Sequence, residues 1–300
     1  MNNSDPWNNQ LTLTPYLNIK KLCKSDFDKN REFILGTKIP LTTMPKDNTL
    51  VFVGTDVSGN LHLGHAVLFS LADLLSKYFH KHLVVSINEL ESIFTRRCDL
   101  EFVIKKRNKI IKELGKYDCT IHSRVNDWVL ILLSASIWNY LLKEKKGKSD
   151  LFKHYKYVPD ARDMFSIAVM AASPIGLCIT KNQDAVLAVY GVDEYAHLEL
   201  IYKLYQSTWF KAEIRNSFNM SPPLFNYLII KPLQDETGRY KMSKSRPETT
   251  IFIDSFRQPL KESQINTYLC GLLNLLESSN TDLSHNGWYL LIKEFLNKYD

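Results

Sequence analysis

Residues 49–65 read TLVFVGTDVSGNLHLGH, and this stretch decides the fold. Thr49 to Gly54 is a short apolar run bounded by turn residues, the pattern of a strand buried on both faces of a parallel sheet. A loop containing Ser58 and Gly59 follows, and Leu63 to Phe79 then reads as a helix with Leu68, Leu71, Leu74, Leu75 and Phe79 on one face. Strand, loop and helix open an α/β unit. A second apolar run, Leu83 to Ile87, returns at the spacing of a βαβ crossover, which makes the sheet parallel.

Downstream, residues 99–118 are amphipathic and basic, Thr120–Ser123 has the makings of a short strand, and Asp127–Leu142 reads as a strongly apolar helix. That apolar helix serves equally as a partner surface or as intrachain core. The charge run Lys143–Lys153 is read as a solvated loop, with an RNA contact as the sharper alternative. A helix over about Asp163–Ala172 is expected to stop at Ser173-Pro174, since proline removes a helix donor. Further strands are expected at Ala185–Tyr190 and Tyr227–Ile230, with a helix from Glu194 to about Trp209 between them. Residues 1–48 are polar and weakly periodic and are read as an extension. Short helices are expected at about 260–278 and 287–299.

Composition narrows the class. Of 300 residues, 45% are apolar and 23% charged, and 11 Gly with 11 Pro exclude collagen-like and low-complexity chains. A net charge of +6 is compatible with an anionic partner without requiring one. The five cysteines are scattered and form no C-x-x-C pair, which argues against a disulfide framework and a zinc site. The N-terminus has neither a basic start nor an apolar run, and the stretch Trp128–Ile137 is too short to span a bilayer. A cytoplasmic location without membrane contact is the expectation.

Two segments carry chemistry. His62-Leu-Gly64-His65 lies after the first strand, at the mouth of a helix, where open α/β sheets bind ligands and a helix N-terminus favours phosphate. Two imidazoles three residues apart there can donate hydrogen bonds to phosphoryl oxygens, and Gly64 leaves room for a nucleotide. A simple helix cap is the blander reading of the same residues. Lys241-Met-Ser-Lys244-Ser245 is a cationic loop able to close over a triphosphate and to stabilise charge on a pyrophosphate leaving group. Taken alone, a solvated surface loop explains it as well. Asp193, just beyond a strand, fits ribose hydroxyls or an ammonium group, and fits a helix cap too. Phe52 reads as a flat pocket wall or as plain core.

Together, His62-Leu-Gly-His65 and Lys241-Met-Ser-Lys-Ser245 resemble the HIGH and KMSKS signatures of class I aminoacyl-tRNA synthetases, in order and with an α/β pattern between them. Within that class the chain is most similar to the tryptophanyl/tyrosyl subgroup, and especially to tryptophanyl-tRNA synthetases. Phe52-Val-Gly54 leading to Ser58-Gly59 resembles the first strand of the bacterial tryptophanyl enzymes. Gly191-Val-Asp193-Glu-Tyr-Ala-His197-Leu-Glu199-Leu200 is similar to their G-x-D-Q-x-x-H-x-E-L block, and Asp5-Pro6-Trp7 to a segment near the start of archaeal and eukaryotic ones. The segment after the lysines, Arg246-Pro247 and Thr250-Ile-Phe252, also fits.

The resemblance, over roughly residues 50–255, implies a Rossmann-like (HUP-type) class I synthetase catalytic domain over 49–255. A helical insertion at about 95–165 and a short helical C-terminal region, 256–300, complete the expected organisation. It implies adenylation of an amino acid, tryptophan or a relative, by ATP with Mg2+, followed by transfer to tRNA, in a homodimer, with no protein-bound metal. His62, His65, Lys241 and Lys244 would carry catalysis. Gly54, Gly64, Gly191, Asp193, Met242 and Ser243 would hold ATP. Phe52, Met170, Ser173 and Glu194 would line the amino-acid pocket, while His197 and Glu199 brace their helix.

Two departures stand out. Where bacterial tryptophanyl enzymes have M-A-A-D, with Asp accepting the indole N–H, this chain has Met170-Ala-Ala-Ser173-Pro174, and Glu194 replaces Gln. A buried indole N–H without a partner costs about 1–3 kcal/mol, so another group accepts it or the substrate is not tryptophan. Only 55 residues follow Ser245, less than the family's anticodon-reading region. The alternatives are therefore an amino-acid-activating enzyme with a non-tRNA acceptor and a non-catalytic RNA-binding paralogue, the latter disfavoured by the intact histidines and lysines.

Overall fold

In the computed structural model, strand β1 (Ile34–Thr37) opens the described part of the chain, which comprises residues 34–94, 96–143, 160–231, 233, 250–253, 269, 273, 277 and 290–294. The quoted apolar run forms β2 (Thr49–Asp56). It pairs in parallel with β3 (Leu83–Asn88) on one side and with β5 (Ala185–Gly191) on the other. β4 (Cys119–Ser123) and β6 (Leu224–Ile230) extend the sheet in parallel, and β1 closes one edge antiparallel to β6. The strand order is β1-β6-β5-β2-β3-β4.

Side-chain alternation explains why the inner strands are apolar throughout. Val51 and Val53 of β2 enter one hydrophobic layer with Phe69, Leu71 and Leu75 of α1 (Leu63–Tyr78). Leu50 and Phe52 enter the other, against α4 (Trp128–Lys143) and α5 (Ala161–Lys181). Strands covered on both faces have no polar side to show. The helices α2 (Glu89–Phe94) and α3 (Leu100–Leu114) separate β3 from β4. β4 thus falls within the span expected to be an insertion, yet it hydrogen-bonds to β3 as part of the sheet. The expected helix after β5 is two helices, α6 (Tyr195–Gln206) and α7 (Thr208–Phe218), divided at Ser207, whose Oγ accepts the Phe210 N–H at 3.2 Å.

Two further expectations are corrected. Part of the presumed extension belongs to the folded unit: β1 joins the sheet, and Leu41 and Met44 are buried in the core. And α5 does not stop at Ala172: it runs through Pro174 to Lys181. Proline leaves the Met170 carbonyl without its usual N–H partner. Burial outweighs that loss, because Ile175, Leu177 and Cys178 continue the apolar face, and Gly176 lets the helix approach the Leu130 backbone closely. Among the described residues α5 is the one helix long and apolar enough to cross a membrane, and it is mostly buried against the sheet and α4.

Candidate functional site

β2 is followed by β3 and β4 on one side, and the chain then returns to place β5 and β6 on the other. The carboxyl ends of β2 and β5 therefore flank a topological switch point, where open sheets leave a crevice. A cavity of about 230 Å³ lies there, lined by Gly54, Thr55 and Asp56 of β2, Asn88 of β3, Tyr190 and Gly191 of β5, and Ile230 of β6. His62, Gly64 and His65 reach it from the start of α1, Met170 from α5, and Asp193 and Glu194 from the turn after β5.

The histidine turn is shaped by its own hydrogen bonds. His62 precedes α1 with extended backbone, and its N–H donates to His65 Nδ1 at 3.2 Å. The two rings lie 3.9 Å apart between centroids, and the edge of Phe69 supports His65 from below. A neutral His65 ring that accepts at Nδ1 carries its proton at Nε2. The helix-cap reading is realised, and the cap itself turns one imidazole into a fixed donor. A β-carbon on Gly64 would stand 3.0 Å from the His62 ring, so any side chain here would push that ring from its place.

The segment 250–253 pairs with the same turn. The Leu63 N–H donates to the Ile251 carbonyl (2.9 Å), the Ile253 N–H to the Leu61 carbonyl (3.1 Å), and His62 bridges Phe252 antiparallel. Leu233 lines the cavity. Lys241, Met242, Ser243 and Lys244 lie outside the described residues.

Acids form one wall. Arg96 reaches Asp56 at 2.6 Å and Glu91 at 3.7 Å, and Asn88 Nδ2 donates to Glu91. Burial pushes the Glu91 carboxyl above its ordinary pKa of 4.5, and the negative charges of Asp56 and Glu194 push it further. A carboxyl that holds its proton more tightly when folded than when unfolded weakens folding as pH rises from 4.5 through the folded value. Glu91→Gln is therefore expected to raise the Tm of the ligand-free protein at pH 7 by about 1–3 °C, discounted for water reaching a third of the side chain, and to flatten Tm against pH above 4.5. Thermal melts of both proteins across pH 4–8 check this; superimposable curves contradict it.

Across the cavity, the Asp193 carboxylate folds back within 2.5 Å of where a β-carbon on Gly191 would lie. Glu194 pairs with His197 at 2.8 Å, and Glu199 with Lys38 at 2.7 Å while accepting the Tyr227 hydroxyl. The braces expected of His197 and Glu199 correspond to these contacts.

Two expected pocket residues lie behind the wall. Phe52 has no exposed surface and packs in the core with its ring 6.2 Å from that of Tyr190. Ser173 is equally buried, its hydroxyl donating to the Val169 carbonyl at 2.7 Å. Their place is taken by Arg124 and Tyr190, which the sequence reading passed over. The one available signal for Arg124 was its position, a lone charge just beyond the carboxyl end of a parallel strand. Among the described residues no group of three or more His, Cys, Asp or Glu side chains is arranged to hold a metal ion.

No protein-family profile and no curated protein matches this chain. Solved structures do. Tryptophanyl-tRNA synthetase from Aeropyrum pernix is 20% identical with a TM-score of 0.56, over 69% of this chain and 55% of that one. This chain thus spans little more than half the length of that protein. The Encephalitozoon cuniculi tryptophanyl enzyme bound to tryptophan is 16% identical, TM-score 0.56, over 84% of this chain and 77% of its own. Tyrosyl-tRNA synthetase from Archaeoglobus fulgidus with L-tyrosine is 15% identical, TM-score 0.54, over 86% and 84%. The chain has the Rossmann-like α/β fold of the tryptophanyl and tyrosyl synthetases.

Proposed function

We propose that this chain activates an aromatic amino acid with ATP and passes the aminoacyl group to tRNA, as a close paralogue of the tryptophan-tRNA ligases. The observation that carries the reading is the convergence on one switch-point cavity of the histidine turn, the Gly191–Asp193 turn, and the residues flanking 234–249, which bear the lysine motif. In the reaction the substrate carboxylate attacks the α-phosphorus of ATP, the bond to the β-phosphate oxygen breaks, and pyrophosphate leaves. A ribose hydroxyl of the acceptor then displaces AMP from the adenylate. No enzyme nucleophile is needed. Positioning and neutralisation of phosphate charge suffice, with His62 and His65 as donors, Lys241 and Lys244 as cations and magnesium carried in on the phosphates. Asp193 takes ribose hydroxyls or the ammonium group, which the acidic wall also favours.

ATP–pyrophosphate exchange with each of the twenty standard amino acids tests this. Exchange stimulated by one aromatic amino acid is expected, and exchange with none overturns the reading. Exchange without tRNA charging would favour a different acceptor.

The two readings of the 128–142 helix are compatible. Leu130, Leu133, Ile137 and Leu141 are buried, while Trp128 (66% exposed) and Leu132 (55%) face outward and support a homodimer surface. Leu132→Glu is then expected to shift the protein from dimer to monomer in analytical ultracentrifugation; an unchanged sedimentation coefficient argues against this face.

A further inference from the structure

Arg124 occupies an unusual position for a guanidinium. It is 2% exposed, begins the short 3-10 turn Arg124–Asn126 after β4, and still lines the cavity. Its backbone N–H donates to Glu89 at 3.2 Å, its Nε donates to Ser86 Oγ at 3.0 Å, and it hydrogen-bonds the Tyr190 hydroxyl. Nη2 lies 3.4 Å from where a β-carbon on Gly54 would be. Nη1 is buried and has no hydrogen-bond partner among the described residues. A guanidinium donates and never accepts.

A chain of hydrogen bonds runs behind it. The Asp127 carboxylate only accepts, so His122 carries a proton on Nε2 and donates it there at 2.8 Å. With the ring neutral, His122 Nδ1 accepts the Ser86 hydroxyl proton at 3.1 Å, while Ser86 Oγ accepts from Arg124. Ser86, His122 and Asp127 have the order of a nucleophilic triad, but Ser86 has no exposed surface and its oxygen is occupied by the guanidinium. The three residues instead hold Arg124 in place.

We propose that Arg124 is the specificity-determining residue of the cavity: its guanidinium, buried yet part of the cavity lining, donates to an acceptor atom at the far end of the bound amino-acid side chain, selecting acceptor-tipped side chains over those ending in an indole N–H or a bare ring. Asp127, His122 and Ser86 are its positioning residues. An indole N–H brought against a donor-only group gains no bond and leaves two donors facing each other, and Ser173, which stands where the accepting Asp would be, lies outside the cavity. A neutral phenol or nitro oxygen suffices as partner, because Glu89 and Glu91 already offset the guanidinium charge. The assignment rests on reading the cavity as an amino-acid site.

The test is calorimetric titration of the full chain with L-tyrosine, 4-nitro-L-phenylalanine, L-phenylalanine and L-tryptophan. The two acceptor-tipped compounds are expected to bind at least about tenfold more tightly than the other two, since a site built to hydrogen-bond a substrate group rejects analogues lacking it. Arg124→Met should bring that ratio close to one. If this variant does not fold, Ser86→Ala leaves the guanidinium in place but unsteered, and should narrow the ratio severalfold while phenylalanine binding stays as it was. A merely structural role for the network would weaken all four compounds alike. Tightest binding of tryptophan, binding of none of the four, or an unchanged ratio in a folded variant overturns the assignment. Pyrophosphate exchange on the same preparations separates the two failures: exchange with tryptophan keeps amino-acid activation and removes the role of Arg124, whereas acceptor-selective binding without exchange does the reverse.

Discussion

Lys244→Ala is expected to lower ATP–pyrophosphate exchange by about two to three orders of magnitude, the usual consequence of removing one preorganised charge-stabilising group from a reacting centre. The tether makes this concrete. Lys244 is six residues from Thr250, a reach of at most about 22 Å, and Thr250 leads directly into the residues hydrogen-bonded to the histidine turn. From the other end, Lys241 is eight residues beyond Leu233, which itself lines the cavity. Chain length thus lets both ammonium groups reach the cavity. The loss should fall on kcat, with little change in KM for the amino acid, because the lysine meets charge that develops as pyrophosphate departs. Lys244→Arg should recover part of the rate, and Tm should stay unchanged. Exchange within threefold of the parent protein would remove this lysine from the reaction.

The sequence made the centre of the molecule legible and its margins much less so. β2, β3, β5 and β6 were readable because strands covered on both faces must be apolar without a break, a constraint that leaves few other interpretations. The histidine turn and Gly191-Asp193 were readable because they follow those strands at the one end of a parallel sheet where a ligand fits. β1 was not, being four residues at an antiparallel edge with a register shift between Ile34 and Gly36. Pro174 pointed the wrong way: local propensity ended the helix, and packing against Leu130 carried it on. Phe52 was placed in the pocket by the resemblance, which matches a strand position but not how far along the sheet face the cavity extends. Leu50, Phe52 and Gly54 share one face of the sheet, and only Gly54 lies far enough along it to reach the opening. Arg124 was hidden for the opposite reason. A buried arginine is recognisable only from its partners, and Ser86, Glu89 and Tyr190 come from two other strands and a helix start.

That position of Gly54 leads to the second large effect. Gly54→Val is expected to lower amino-acid-dependent exchange by at least about a hundredfold while the protein still folds. Valine suits an extended strand, so the backbone has no reason to change. A β-carbon at this site would already stand 3.4 Å from both Arg124 Nη2 and the Tyr190 hydroxyl, which is ordinary contact. The two further methyl groups of valine must then either enter the cavity or press on a guanidinium and a phenol that are themselves fixed by hydrogen bonds. Both outcomes close the amino-acid end and leave the histidine turn untouched. Overpacking of this kind costs about 1–3 kcal/mol of stability, small enough to be followed by thermal melts. Gly54→Ala supplies the internal comparison: its single carbon fits at contact distance, and activity should remain within about tenfold of the parent. If valine and alanine were equally active, the amino acid would have to bind elsewhere than over Gly54, and the floor assigned to Arg124 and Tyr190 would have no substrate above it.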